Sequence, residues 1–157
     1  MKIAVIGIGQ SLRGDDGAGL EAVRQWKENF PETASRPEVR AEASELPGLA
    51  LMDLIQENDA VILVDAVRSS AKAGTIHHIE PGDLSTFTSD SQSAHGWGVA
   101  ETIQLARQLN PALKNHPIKL IGIEAGQMAM GSGLSKPVQN AMPLACCAIQ
   151  TEIEKLL

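Results

Sequence analysis

At 157 residues the chain is long enough for one domain with its own core, and its net charge of −6 argues against a nucleic-acid groove lined with Lys and Arg. The 43% hydrophobic and 20% charged residues make a globular composition, and with 3% aromatics and no Tyr the core has to be built from Ala, Val, Ile and Leu. No apolar run approaches the roughly 18 residues that span a bilayer, and the N-terminus lacks the basic-then-apolar order of a signal peptide, so no membrane contact and a cytoplasmic location are expected.

The elements alternate along the chain. The continuous apolar run "KIAVIGI" (2–8) predicts a strand buried on both faces. "GLEAVRQWKENF" (19–30) predicts a helix with Leu20, Val23, Trp26 and Lys27 at helical spacing, stopped by Pro31. "EVRAEAS" (38–44) alternates as a short strand, "LALMDLIQEN" (49–58) predicts a helix, and "DAVILVDAV" (59–67) is the strongest buried strand. "GTIHHIE" (74–80) predicts an edge strand closed by the turn signal "PGD". After a polar stretch come a helix over 98–109 and another buried strand, "IKLIGIEA" (118–125).

The last helix follows Ser135 as N-cap, with Val138, Met142, Ala145, Ile149, Ile153 and Leu156 in one stripe and Pro143 kinking its first turns or marking a late start. Its neighbours Cys146 and Cys147 point in different directions and are too few for a disulfide framework or a zinc site. Strands alternating with helices predict an α/β fold: one domain over 1–157, a three-layer α/β/α sandwich around a mostly parallel, twisted sheet of about five strands.

In such a sheet ligands bind beyond the carboxyl ends of the strands. The first strand runs into "GIGQSLRGDDGAG" (7–19), which has the outline of a phosphate loop but not its chemistry. A dinucleotide fingerprint needs glycine where Leu12 stands, and the P-loop glycines Gly9 and Gly14 are followed by Asp15 and Asp16 instead of Lys and a hydroxyl residue. Two carboxylates repel an anion, so the loop suits a cation or a positively polarised group. Asp15 serves the start of the first helix as its cap and leaves Asp16 for the cleft.

Asp65 ends the apolar run "AVILV", where an unpaired carboxylate is expensive to bury, and His95 stands beside Gly96 just ahead of the helix over 98–109. Asp16, Asp65 and His95 together form a mixed N/O set that suits a first-row divalent metal with positions open to water or substrate. His77 and His78 point to opposite sheet faces and cannot share a metal, and His116 lies in a turn away from the cleft, so all three are structural or solvent-facing.

The stretch "MKIAVIGIGQSLRGDDGAGLEAVRQW", followed in order by "AVILVDAV", "SAHGWGVAETIQLARQL" and "IKLIGIEAGQMAMGSGLSKPVQNAM", resembles the hydrogenase maturation proteases. Gln10 replaces the family's usual Asn, and "ELPGLALMD" replaces its Gly-Thr or Gly-Gly before the helix. The resemblance implies a compact α/β endopeptidase that removes a C-terminal peptide from the large-subunit precursor of nickel–iron hydrogenase after nickel insertion. It places the family's metal-contacting residues on Asp16, Asp65 and His95, the candidate catalytic residues: either the metal polarises the scissile carbonyl or activates a water, or one of the two aspartates acts as general base. The nickel then comes with the substrate, and the free protein holds none or another divalent metal; a monomer or weak homo-oligomer is expected.

The absence of GxSxG and of a cysteine near a strand end disfavours a covalent nucleophile. Two alternatives stand beside the protease: a metal-binding or chaperone module that holds the same precursor without cutting it, and a peptidyl-tRNA-hydrolase-like esterase, which the acidic balance opposes.

Overall fold

A computed structural model describes residues 1–45, 49–83 and 99–157. The strands are β1 (Ile3–Ile8), β2 (Val39–Ser44), β3 (Ala60–Val67), β4 (Ile76–Ile79) and β5 (Ile118–Glu124). The helices are α1 (Ala18–Asn29), α2 (Pro31–Ala34), α3 (Leu49–Glu57), α4 (Val99–Leu109) and α5 (Lys136–Leu156). They form one five-stranded sheet in the order β2-β1-β3-β5-β4. The first three pairings are parallel, with Ile3 opposite both Val39 and Ala60, and Val61 opposite Ile118. β4 runs antiparallel on the edge, His77 opposite Gly122.

All six residues of β1 and seven of eight in β3 are buried, which is why these strands read as unbroken apolar runs. Period-two alternation splits their side chains between two cores. Ala4, Ile6, Leu63 and Leu120 pack with Leu51 and Ile55 of α3 and Ile103 of α4. Val5, Ile62, Val64 and Ile121 pack on the other side with Trp26 of α1 and Met142 and Ile149 of α5. Each fully buried Leu or Ile stabilises the fold by about 1.5–3 kcal/mol, so these two helix-on-sheet layers supply most of the driving force.

Three local readings change. The buried face of α1 is Ala18, Gly19, Ala22, Val23 and Trp26, while Leu20 is half-buried and Lys27 exposed. The first turn of α1 lies too close to the strand ends for a large side chain. Pro31 does not simply stop the helix: it opens the single turn α2 at a position where its missing N–H is not needed. Pro143 sits within α5, which starts directly after Ser135 and runs unbroken to Leu156. The proline is on the exposed side, where water can satisfy the carbonyl it leaves unpaired. As expected of neighbours, Cys146 is buried and Cys147 exposed, and burial pushes the Cys146 thiol up.

Trp26 is wholly buried between α1 and α5 and donates its indole N–H to Gln150 Oε1 at 3.0 Å. Trp26→Phe removes that bond and leaves a void, and is expected to lower unfolding free energy by about 2 kcal/mol, read as a reduced urea midpoint at unchanged slope.

Candidate metal-recognition and active site

The chain passes from β1 through α1 to β2 on one side, and from β2 through α3 to β3 on the other. The strand order therefore reverses beside β1, and the crevice outside the carboxyl ends of β1 and β3 is the place for a ligand. Leaving Ile8, the chain makes a tight turn over 10–13, closed by Arg13 N–H on Gln10 O at 3.2 Å. It then enters a 3-10 turn, Gly14–Gly17, that leads directly into α1 and packs against β3. Two glycines permit this approach. A Cβ on Gly9 would lie 2.0 Å from the Asp16 carbonyl oxygen, and one on Gly19 would lie 2.2 Å from that of Val64.

The two aspartates of the turn are both buried, at 0% and 2% exposure, but they do different work. Asp16 turns its Oδ2 back onto the loop and accepts the Gln10 N–H at 3.1 Å. The backbone at position 10 thus holds the carboxylate, so exchanging the family's Asn for Gln keeps this bond.

Asp15 is not a helix cap. Gly17 occupies the N-cap of α1, and neither that helix nor the 3-10 turn has a side-chain cap. The Asp15 carboxylate instead reaches the loop between β5 and α5. Its Oδ2 accepts from Gly126 N–H (2.7 Å), Gln127 N–H (2.8 Å) and Ser135 Oγ (2.7 Å), and its Oδ1 from Ser135 N–H (2.6 Å). Burial pushes its pKa up, but these hydrogen bonds, led by the Ser135 N–H, outweigh burial and hold it below the ordinary value. Ser135 does stand at the N-cap of α5, yet its hydroxyl is spent on Asp15 rather than on the helix.

Asp65 lies near the end of β3, 9% exposed, with Oδ1 accepting the Ala66 N–H at 2.8 Å. Alternation puts it on the face of Leu63 and Val67, the side covered by α3 and α4. The structure therefore carries Asp16 and Asp65 to the same end of the sheet from adjoining strands. The helix α4 begins at that end, because it leads back through Pro111–Asn115 to the start of β5. His95 lies outside the described residues, and among those residues no three His, Cys, Asp or Glu side chains gather as a metal site. Two buried carboxylates are hard oxygen donors suited to a divalent cation and unsuited to a phosphate.

A second polar cluster escaped the sequence reading. Glu124, 2% exposed at the end of β5, accepts from Ser69 N–H (2.7 Å) and Ser69 Oγ (2.5 Å), and its Oε1 lies 3.0 Å from His77 Nε2. It ties the edge strand and the turn after β3 to the sheet. His78 points the other way, Nδ1 3.5 Å from Glu152, and His116 Nδ1 lies 3.2 Å from the Ala112 carbonyl oxygen. Only the strand-end position of Glu124 hinted at this cluster.

A family model described as "HycI: Hydrogenase maturation protease" matches residues 46–152, more than half of the chain. The chain belongs to the hydrogenase maturation protease family. The matched stretch contains Asp65, His95 and the loop held by Asp15. The hydrogenase expression/formation protein HupD of Rhizobium leguminosarum is 27% identical over 159 residues, covering 99% of this chain and 74% of its own. Among solved structures, the hydrogenase-maturating endopeptidase HybD of Escherichia coli superposes with a TM-score of 0.81 at 18% identity, covering 99% of this chain and 93% of that one. HybD of Thermococcus kodakarensis gives 0.70 at 24% identity, over 96% and 98%. These two likenesses bear out the α/β fold expected of a maturation protease. Among the described residues of this maturation protease, no helix is long and apolar enough to cross a membrane.

Proposed function

We propose that this maturation protease removes the C-terminal peptide from the nickel-loaded large-subunit precursor of nickel–iron hydrogenase, recognising nickel that the precursor brings with it. The observation that carries the reading is the pair of buried carboxylates, Asp16 and Asp65, at the carboxyl ends of adjoining strands. His95 completes the set as the nitrogen ligand. The buried setting fixes both aspartates in place, so little side-chain freedom is lost when substrate arrives. When the precursor is bound, its nickel supplies Lewis acidity toward the scissile carbonyl or a water. Of the two aspartates, one orients the metal-bearing end of the substrate and the other accepts the proton of the attacking water as general base. No covalent nucleophile is needed: the Ser69 hydroxyl is engaged by Glu124, and the Cys146 thiol is buried in the α1–α5 interface.

The test compares nickel-loaded with nickel-free precursor, following the C-terminal peptide by mass spectrometry. Cleavage of the loaded form at least about 100-fold faster is expected, since without the metal to set its register the scissile bond is misplaced. Equal cleavage of both forms would overturn nickel recognition. Tight association without product would replace the protease by a binding module.

A further inference from the structure

Two of the most exposed apolar side chains in the described structure lie on turns that are bonded to each other, one of them in the loop that carries Asp16. Leu12 is 69% exposed and Met130 is 72% exposed. Leu12 is the third residue of the turn over 10–13. Met130 is the second residue of a turn over 129–132, closed by Ser132 N–H on Ala129 O at 3.2 Å, with Gly131 at φ +81° as a type II turn requires. The Gly131 N–H donates to the Leu12 carbonyl oxygen at 2.8 Å, so the two corners are bonded back to back.

Turn corners ordinarily carry Gly, Pro, Asn, Asp or Ser, and a large apolar residue there contributes nothing to the turn. Isolated exposed apolar residues are normal, and the others fit that description: Met1 and Leu157 are the ends of the chain, and Leu109 and Leu144 sit on separate helices. Leu12 and Met130 differ because their turns are joined, and because the joint is rigid. Gly14 N–H on Ser132 O (3.0 Å), Asp15 N–H on Gln127 O (2.6 Å) and the four bonds to the Asp15 carboxylate hold the two loops together. A surface displayed in this way loses little entropy on binding.

We propose that Leu12 and Met130 form an apolar lip that docks the folded body of the hydrogenase large-subunit precursor and sets which precursor is accepted; this rests on the protease reading above. The occupant follows from continuity. Leu12 belongs to the loop that carries Asp16, so a polypeptide presenting its scissile bond to Asp16 and Asp65 passes over the lip. A metal ion alone or a small polar ligand has no use for an apolar rim, whereas an apolar patch on a protein substrate does. Met adds an unbranched, polarizable contact that moulds to the partner.

The test measures KM and kcat for nickel-loaded precursor with wild type, Leu12→Ser, Met130→Ser and Leu144→Ser, with thermal unfolding and size-exclusion chromatography of each. The lip variants are expected to raise KM about tenfold, with kcat changed less than twofold and melting temperature held within about 2 °C, since both side chains are exposed. Leu144→Ser, an exposed leucine in the third turn of α5 and outside both turns, is expected to keep the wild-type KM. If wild type cleaves and both lip variants keep its KM, the lip is wrong and the protease stands. If wild type itself neither binds nor cleaves the precursor, the protease reading falls and takes this occupant with it. A wild-type dimer that dissociates in the lip variants at unchanged KM would assign the lip to a second copy of the chain and overturn the proposal.

Discussion

Asp16→Asn and Asp65→Asn are each expected to reduce cleavage of nickel-loaded precursor about 10³-fold while leaving the fold in place, since a positioned acid or base contributes about 10²–10⁴. Both substitutions keep the shape of the side chain, and each wild-type carboxylate has a local backbone donor that an amide oxygen can also accept: Gln10 N–H for Asp16 and Ala66 N–H for Asp65. Loss of negative charge is therefore separated from loss of packing. The double variant is expected to be little worse than either single one, because groups that serve one step are not additive. Activity within twofold of wild type in both single variants, with circular dichroism unchanged, would remove these aspartates from the site.

The strands and the cleft were legible in the sequence for one reason, which is burial on both faces. "IAVI" and "AVILV" have no polar residue to alternate with because helices cover both sides of β1 and β3. "GTIHHIE" mixes polar with apolar residues because β4 lies on the edge of the sheet, with Ile76 packed against one core and Ile79 in the other. Once the strands are placed, Asp16 and Asp65 follow as carboxylates at or just beyond their carboxyl ends, once Asp15 is set aside for the start of the helix. Side-chain contacts between distant segments were not legible. Asp15 was read as a cap because Asp beside a helix start usually caps, whereas its partners Gly126, Gln127 and Ser135 are more than a hundred residues away. Leu20 was placed on the core face by spacing alone, but the close passage of Gly19 past Val64 lets only small residues face the strand ends there.

The division of labour between the two aspartates makes the paired sequence intelligible. Asp15 and Asp16 are adjacent, yet one faces the loop after β1 and the other the loop after β5. The 3-10 turn that carries them makes this possible, since its tighter winding sends successive side chains about 120° apart. One carboxylate then serves the candidate chemistry and the other fixes the scaffold around it. A single aspartate at this position could hold the rim or face the cleft, but not both.

Asp15→Ala is accordingly expected to act on stability and on the rim rather than on nickel recognition. It leaves four donors at Gly126, Gln127 and Ser135 without their acceptor. A buried donor left unpaired costs about 1–3 kcal/mol, and partial relaxation of the loop toward water brings the total to about 4 kcal/mol. For a chain of this size that is a fall in melting temperature of about 10 °C. Asp15→Asn is expected to lose about half as much, because its oxygen still accepts while its NH2 group meets donors. The pH dependence has a defined sign. Asp15 has a folded-state pKa below its unfolded value, so its contribution is full above about pH 4, the ordinary carboxylate value, and is lost as the pH falls through the lower folded value. The stability gap between wild type and Asp15→Asn, measured by urea unfolding, is thus expected to be constant from about pH 5 to 8 and to narrow below about pH 4. A gap that stays the same at pH 3 would show that the charge of Asp15 contributes nothing. Since the same four bonds carry the loop that displays Met130, this variant is also expected to raise KM for the precursor, which links the stability of the rim to the docking it supports.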